Sequence, residues 1–220
     1  MDKNRCLLLP LLLVLAMGIG YAVLSLPDHA DGLQKVVAVK MEVSGVSNPV
    51  TAVLLNFRGY DTLLEMAVLL LALLGCWSLA GSSLQVGPAS GPVLDTFARL
   101  LSPLLILMAA YLLWSGSHAP GGAFQAGAVL GAAGVLQLLA GWRLRPCLTQ
   151  ILLRLALIAG LAAFITIALL MLFLEGRVLQ YPPDQAGILI LILETVATLS
   201  IGVTLAALFL GGQQEQKDKQ

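Results

Sequence analysis

Apolar residues run along this chain in long blocks instead of alternating with the periods of a half-buried strand or an amphipathic helix. Six blocks, at about residues 6–26, 63–81, 96–114, 123–141, 149–174 and 186–210, meet or approach the roughly 20 residues that a helix needs to cross a bilayer core. They predict an all-α, polytopic membrane protein with about six transmembrane helices. Between the first two lies a long loop, 27–62. Within it, eight apolar residues between Asn48-Pro49 and Asn56 are too short to span, and they fit a segment lying flat at the outer interface or packed on neighbouring helices. Asp61 or Thr62 is placed to cap the second helix. Ser102-Pro103 falls inside the third block, where it predicts a kink and not a break. Pro120 suits the first turn of the fourth helix.

Composition sharpens this picture. Of 220 residues, 59% are hydrophobic and 11% charged, a balance that would leave a soluble domain covered in apolar surface. Twelve Lys and Arg balance twelve Asp and Glu, so the chain has no general attraction for nucleic acid. On a six-helix scheme with the N-terminus in the cytoplasm, Lys3, Arg5, Arg99, Arg143, Arg145, Arg154, Lys217 and Lys219 lie inside. Lys35, Lys40, Arg58 and Arg177 lie outside. This is the direction of the positive-inside rule, and it puts both termini in the cytoplasm. The first block resembles a signal peptide but lacks a small-x-small cleavage site near Pro27, so retention is expected. Cys6, Cys76 and Cys147 then lie near the reducing face as free thiols. The small and polar stretch Gly81 to Pro92 divides the chain into a two-helix front part, 1–82, and a four-helix rear part, 96–212, joined by a linker at 83–95. The tail 213–220 is polar and expected to be disordered.

Polar groups inside the apolar blocks carry the chemistry, because a charge at the centre of a membrane helix costs about 2.5–3.5 kcal/mol on the mildest scale. Glu194 lies eight or nine residues into the sixth block, roughly 12–14 Å along the axis at 1.5 Å per residue. A lone carboxyl there keeps its proton or finds a partner. Thr195, Thr198 and Gly202 fall within a third of a turn of it, a polar and small stripe expected to face protein or water. Two readings stand side by side: a helix–helix hydrogen bond, or a position on a proton or cation path. Glu65 is one turn into the second helix, and Thr62-Leu63-Leu64-Glu65 matches a capping box, so it reads as a cap or as a proton-handling group at the outer mouth, with Arg58 and Asp61 near enough to pair. His118 sits in the loop GSHAPGGAFQAG, either solvated or placed beside an ion. No second His, Cys or carboxylate is spaced to complete a metal site, and no metal or cofactor is expected. Tyr60-Asp61 lacks the second Gly-x-Gly-Asp element of an intramembrane aspartyl protease. Metalloprotease, nucleophile-elbow and phosphate-loop motifs are also missing, which disfavours an enzyme.

Two stretches together resemble parts of a known family. NPVTAVLLNFRGYDTLLEMAVLLLALLG resembles the C-terminal region of the A subunit of Mrp-type antiporters and the small MbhE-like subunit of membrane-bound hydrogenases, with Phe57, Arg58, Gly59, Tyr60, Asp61, Thr62 and Glu65 in register. LSPLLILMAAYLLWSGSHAPGGAFQAGAVLGAA resembles the B-subunit (MnhB) domain of the same antiporters, with His118, Pro120, Gly121, Gly122, Phe124 and Gly127 matching. Ser117, Ala123 and Ala126 replace glycines of that pattern. The resemblance implies an all-helical subunit of a multi-subunit Na+/H+ antiporter in the bacterial inner membrane, partnered by large complex-I-like subunits and other small membrane subunits. It makes Glu65 the match of a carboxylate implicated in ion movement. The same modules occur in hydrogenase and inorganic-carbon uptake complexes, so a structural subunit with no ion-carrying role is the alternative.

Overall fold

The computed structural model describes residues 3–26, 34–80, 91–142, 146–176, 178–179 and 181–214, and the described residues form helices and turns with no strand. The helices are α1 (Lys3–Leu24), α2 (Gln34–Lys40), α3 (Pro49–Thr51), α4 (Gly59–Ala80), α5 (Pro92–Ser115), α6 (Ala123–Leu139), α7 (Pro146–Glu175) and α8 (Pro183–Gln214). Four stretches are long and apolar enough to cross a membrane: Gly59–Ser78, Pro92–Ser115, Ile151–Leu174 and Asp184–Leu210. Pro10–Leu24 in α1 and Ala123–Leu139 are apolar but shorter. All six coincide with the six apolar blocks. Most of the expected linker 83–95 and tail 213–220 lies outside the described residues, as do Arg143, Arg145, Arg177, Lys217 and Lys219.

The chain divides into two compact units, 1–36 and 37–220. The first is built on α1, whose apolar side chains from Leu11 to Leu24 are exposed, as suits a helix covered by lipid or by another subunit. In the second, α8 is the central helix and packs on α6, α7 and α4, while α5 packs on α6. Its core gathers Leu55, Met66, Phe164, Met171, Ile190, Leu193 and Ile201, with a smaller cluster of Leu73, Leu157 and Ala207 further along α8. Lipid tails are as apolar as these side chains, so close packing, not escape from water, holds such helices together. Small residues make that possible. A Cβ on Gly127 would stand 2.7 Å from Ile201 Cγ2, and one on Gly131 would stand 3.1 Å from the Gly202 carbonyl oxygen, so α6 and α8 approach almost backbone to backbone.

Several local expectations are corrected. α4 begins at Gly59, which places Asp61 and Thr62 inside the first turn instead of at its cap. The capping box is not used: the Thr62 hydroxyl donates to the Leu54 carbonyl at 2.6 Å. That carbonyl belongs to a π-helical stretch, Ala52–Phe57, which continues α3 and whose wider turn changes the backbone pairing. The short apolar segment thus packs inward through Thr51, Ala52 and Leu55. Pro103 does not break α5, as its position within the apolar block indicated, whereas Pro120 stays in the loop, because α6 starts three residues later at Ala123. Cys76 is a free thiol.

Candidate functional site

Glu194 lies in the first half of α8 and is 3% exposed. The residues that share its face, Ala197, Thr198, Ile201 and Gly202, are buried as well, as positions three, four, seven and eight further on should be. Thr195, one residue on, is turned away and exposed, so the buried stripe is narrower than the sequence pattern indicated. Thr198 donates its hydroxyl to the Glu194 carbonyl at 2.7 Å and therefore serves the backbone, not the carboxyl.

What meets the carboxyl is the start of α6. The Ala123 backbone N–H donates to it, and Oε1 lies where a Cβ on Gly122 would come within 2.9 Å. Gly122 has φ of 110°, a conformation that favours glycine, so both backbone and space require the residue that the sequence supplies. A Cβ on Gly116 would be 3.4 Å from the same oxygen. Oε1 thus occupies the positive end of a helix with free N–H groups. Oε2 is buried with no hydrogen-bond partner among the described residues.

The loop that shapes this cradle is tied down from a distant part of the chain. Asn48 caps α3 through its Oδ1, which accepts from Val50 N–H at 3.0 Å. Its Nδ2 donates to the carbonyls of Gly116 at 3.0 Å and Ala119 at 2.8 Å. Thr51 donates to the Gly116 carbonyl at 2.5 Å. The backbone N–H groups of Ser47 and Asn48 both donate to Ser117. Gly122 N–H closes the loop on Leu112 at 2.9 Å.

A cavity of about 390 Å³ opens beside Glu194, lined by Thr51, Thr62, Glu65, Gly122, Phe124 and Gln125 among others. Glu65 is exposed and also lines an adjoining groove of about 670 Å³ with Asp61 and Phe124. Asp61 is ion-paired with Arg58, the pairing expected from their spacing. His118 is not brought in: it is exposed on the loop, with Nδ1 2.5 Å from Ser117 Oγ and its ring beside Trp114. Among the described residues no three His, Cys, Asp or Glu gather into a metal cluster. Of the residues singled out from sequence, the fold joins Glu65 and Glu194 around one cavity, sets Asp61 on the adjoining groove and paired with Arg58, and leaves His118 apart. Thr51, Gly116 and Gln125 were not anticipated. The Asn48-Pro49 pair, a cap followed by proline at the first helical turn, is the one signal that could have pointed to the tie.

Comparison with known proteins matches residues 93–210 to a family described as a domain related to the MnhB subunit of Na+/H+ antiporters. A curated relative, the uncharacterized protein MJ1307 of Methanocaldococcus jannaschii, is 30% identical over a region covering 43% of this chain and 44% of that protein. The chain therefore spans under half the length of that relative. Among solved structures, a chain of the membrane-bound sulfane sulfur reductase, an archaeal respiratory membrane complex, is similar with a TM-score of 0.68 and 26% identity, covering 96% of this chain and 98% of that one. A chain of the Mrp complex from Dietzia sp. DQ12-45-1b is similar with a TM-score of 0.64 and 25% identity, covering 96% of this chain and 26% of that longer one. With the family match over more than half its length and the same helical arrangement in both structures, this multi-pass membrane chain belongs to the family related to the MnhB subunit of Na+/H+ antiporters, as an Mrp-type membrane subunit.

Proposed function

We propose that this chain works within a multi-subunit Mrp-type Na+/H+ antiporter of the bacterial inner membrane, with both termini cytoplasmic, and that Glu65 and Glu194 form a stretch of its ion path. In this reading, the front part, 1–82, acts as the A-subunit tail does and the rear part, 96–212, as the B subunit. Asp61 and Arg58 tune the entrance at Glu65, and Thr198 holds the turn of α8 that carries Glu194. His118 has a solvated, peripheral role. The observation that carries the reading is the pairing of a buried carboxyl, one oxygen of which has no partner, with a second carboxyl on the wall of the same cavity. Intramembrane ionisable groups are costly, and a chain keeps them where they move charge or bind.

Everted membrane vesicles carrying the assembled complex test it. Glu194→Gln and Glu65→Gln, made separately and checked by co-purification, are expected to lose cation-dependent proton flux while the complex still assembles. Full flux in both would leave the chain a structural subunit. That second reading has its own support, since the chain matches nearly the full length of one chain of a respiratory complex but only a part of the longer Mrp chain.

A further inference from the structure

We propose that Asn48 is a positioning residue for Glu194: by holding the carbonyls of Gly116 and Ala119 it fixes the glycine backbone on which the Glu194 carboxyl rests. Built on the ion-path reading above, this role ties a residue of the front part to the buried carboxyl of the rear part.

The link from Asn48 to Glu194 runs almost entirely through backbone. Asn48 Nδ2 donates to the carbonyls of Gly116 and Ala119, 68 and 71 positions further along the chain. Gly116 in turn lies against Gly122, since a Cβ on Gly116 would stand 2.7 Å from both the Cα and the N of Gly122. Gly122 lies against the carboxyl, because its own Cβ would come within 2.9 Å of Oε1. The next residue, Ala123, donates its N–H to that carboxyl. Glycines have no side chain that could bend aside, and close-packed atoms transmit strain, so a shift at Gly116 is passed on to Oε1.

Asn48 acts from outside the cavity. The lining includes Thr51, Thr62, Glu65, Gln125 and Glu194, whose oxygens an ion there could meet, but neither Asn48 nor Gly116. Any effect of Asn48 on that ion therefore passes through the loop. Asn48 and Thr51, which shares the Gly116 carbonyl, are both buried, so water competes little for these bonds. Other duties of Asn48 are separable from this one. The backbone N–H groups of Ser47 and Asn48 reach Ser117 and hold the loop without help from the amide side chain. The cap of α3 uses Oδ1, which accepts from Val50 N–H, and serine caps a helix about as well. Asn48→Ser thus keeps the cap and the backbone ties and withdraws the two donations to Gly116 and Ala119.

Infrared difference spectra of the purified, assembled complex, driven by a pH step, read Glu194 as the carboxyl or carboxylate band missing from Glu194→Gln. In Asn48→Ser that band is expected to shift in frequency, because hydrogen bonding sets the stretching frequency of the group. Antiport per complex in everted vesicles is expected to fall several-fold, with equal co-purification. A band left at its wild-type frequency would overturn the role even if the melting temperature dropped, since a purely structural tie moves the second and not the first. Should Asn48→Ser fail to assemble, Thr51→Val, which withdraws the other donor from Gly116, is expected to shift the same band, and an unmoved band there would overturn the role equally. Antiport separates the two failures: full antiport in Glu194→Gln removes the ion-path reading, whereas lost antiport in Glu194→Gln beside a wild-type band and flux in Asn48→Ser removes only the positioning by Asn48.

Discussion

The two ends of α6 are built on opposite plans. At its C-terminal end the polar groups are exposed and satisfy one another: Arg99 pairs with Asp95 at 2.9 Å, Trp142 Nε1 donates to the other Asp95 oxygen at 3.3 Å, and the Arg99 guanidinium stands 5.7 Å from the Trp142 ring centroid. At its N-terminal end a buried carboxyl meets backbone, and one of its oxygens is left over. Mutual partners exposed at the C-terminal end fasten α5 to the end of α6. An incomplete set, buried beside a cavity, holds chemical capacity in reserve. Charge alone therefore does not mark a functional end in such a protein; unspent hydrogen-bonding capacity next to space does.

Substitutions that disturb the N-terminal end should cost more than those at the other. Gly127→Leu is expected to act most strongly on stability, since even its Cβ would enter the space of Ile201; overpacking of about 1–3 kcal/mol or more should lower the thermal midpoint of the purified complex. A companion Ile201→Ala should recover part of the loss, and a loss that is fully additive would contradict close α6–α8 contact. Gly122→Ala meets both an unfavourable φ and the Glu194 carboxylate. It is expected to cost about 1–3 kcal/mol and to reduce proton flux per complex, read by thermal shift and vesicle assay together. Asn48→Ala removes two donors from the carbonyls beneath Glu194, worth about 1–3 kcal/mol if they stay unsatisfied. A normal melting curve would show that water replaces them. Tyr181 is 4% exposed, its hydroxyl has no partner, and burial pushes the phenol up to about 12. It stays neutral through the working pH range, so Tyr181→Phe should leave stability unchanged or raise it slightly, as measured by the same melts.

Much of this contrast could be read from the chain itself, and the remainder for identifiable reasons could not. A carboxyl in the middle of an apolar block announces itself by the cost of burying it, so Glu194 stood out before its surroundings were known. Arg58 and Asp61, three apart, pair as local spacing requires. The partner of Glu194 was out of reach, because it is backbone: the Ala123 N–H has no residue-type signature, and the glycines that admit it look like ordinary packing or loop residues. The tie from Asn48 and Thr51 to Gly116 spans more than sixty positions and depends on tertiary closure. Thr62 and Glu65 matched a capping motif, yet α4 starts one turn earlier and the π-helical stretch claims the Thr62 hydroxyl instead. Helix periodicity set Thr195 and Thr198 alike within reach of Glu194, and packing chose between them.

Proton flux per assembled complex, measured in everted vesicles for Glu194→Gln alongside Asp95→Asn, tests the central claim most directly. Loss of flux in Glu194→Gln, with wild-type flux in Asp95→Asn and equal co-purification of both, is the expected result. Equal flux in the two variants would contradict the assignment of the ion path to the N-terminal end of α6.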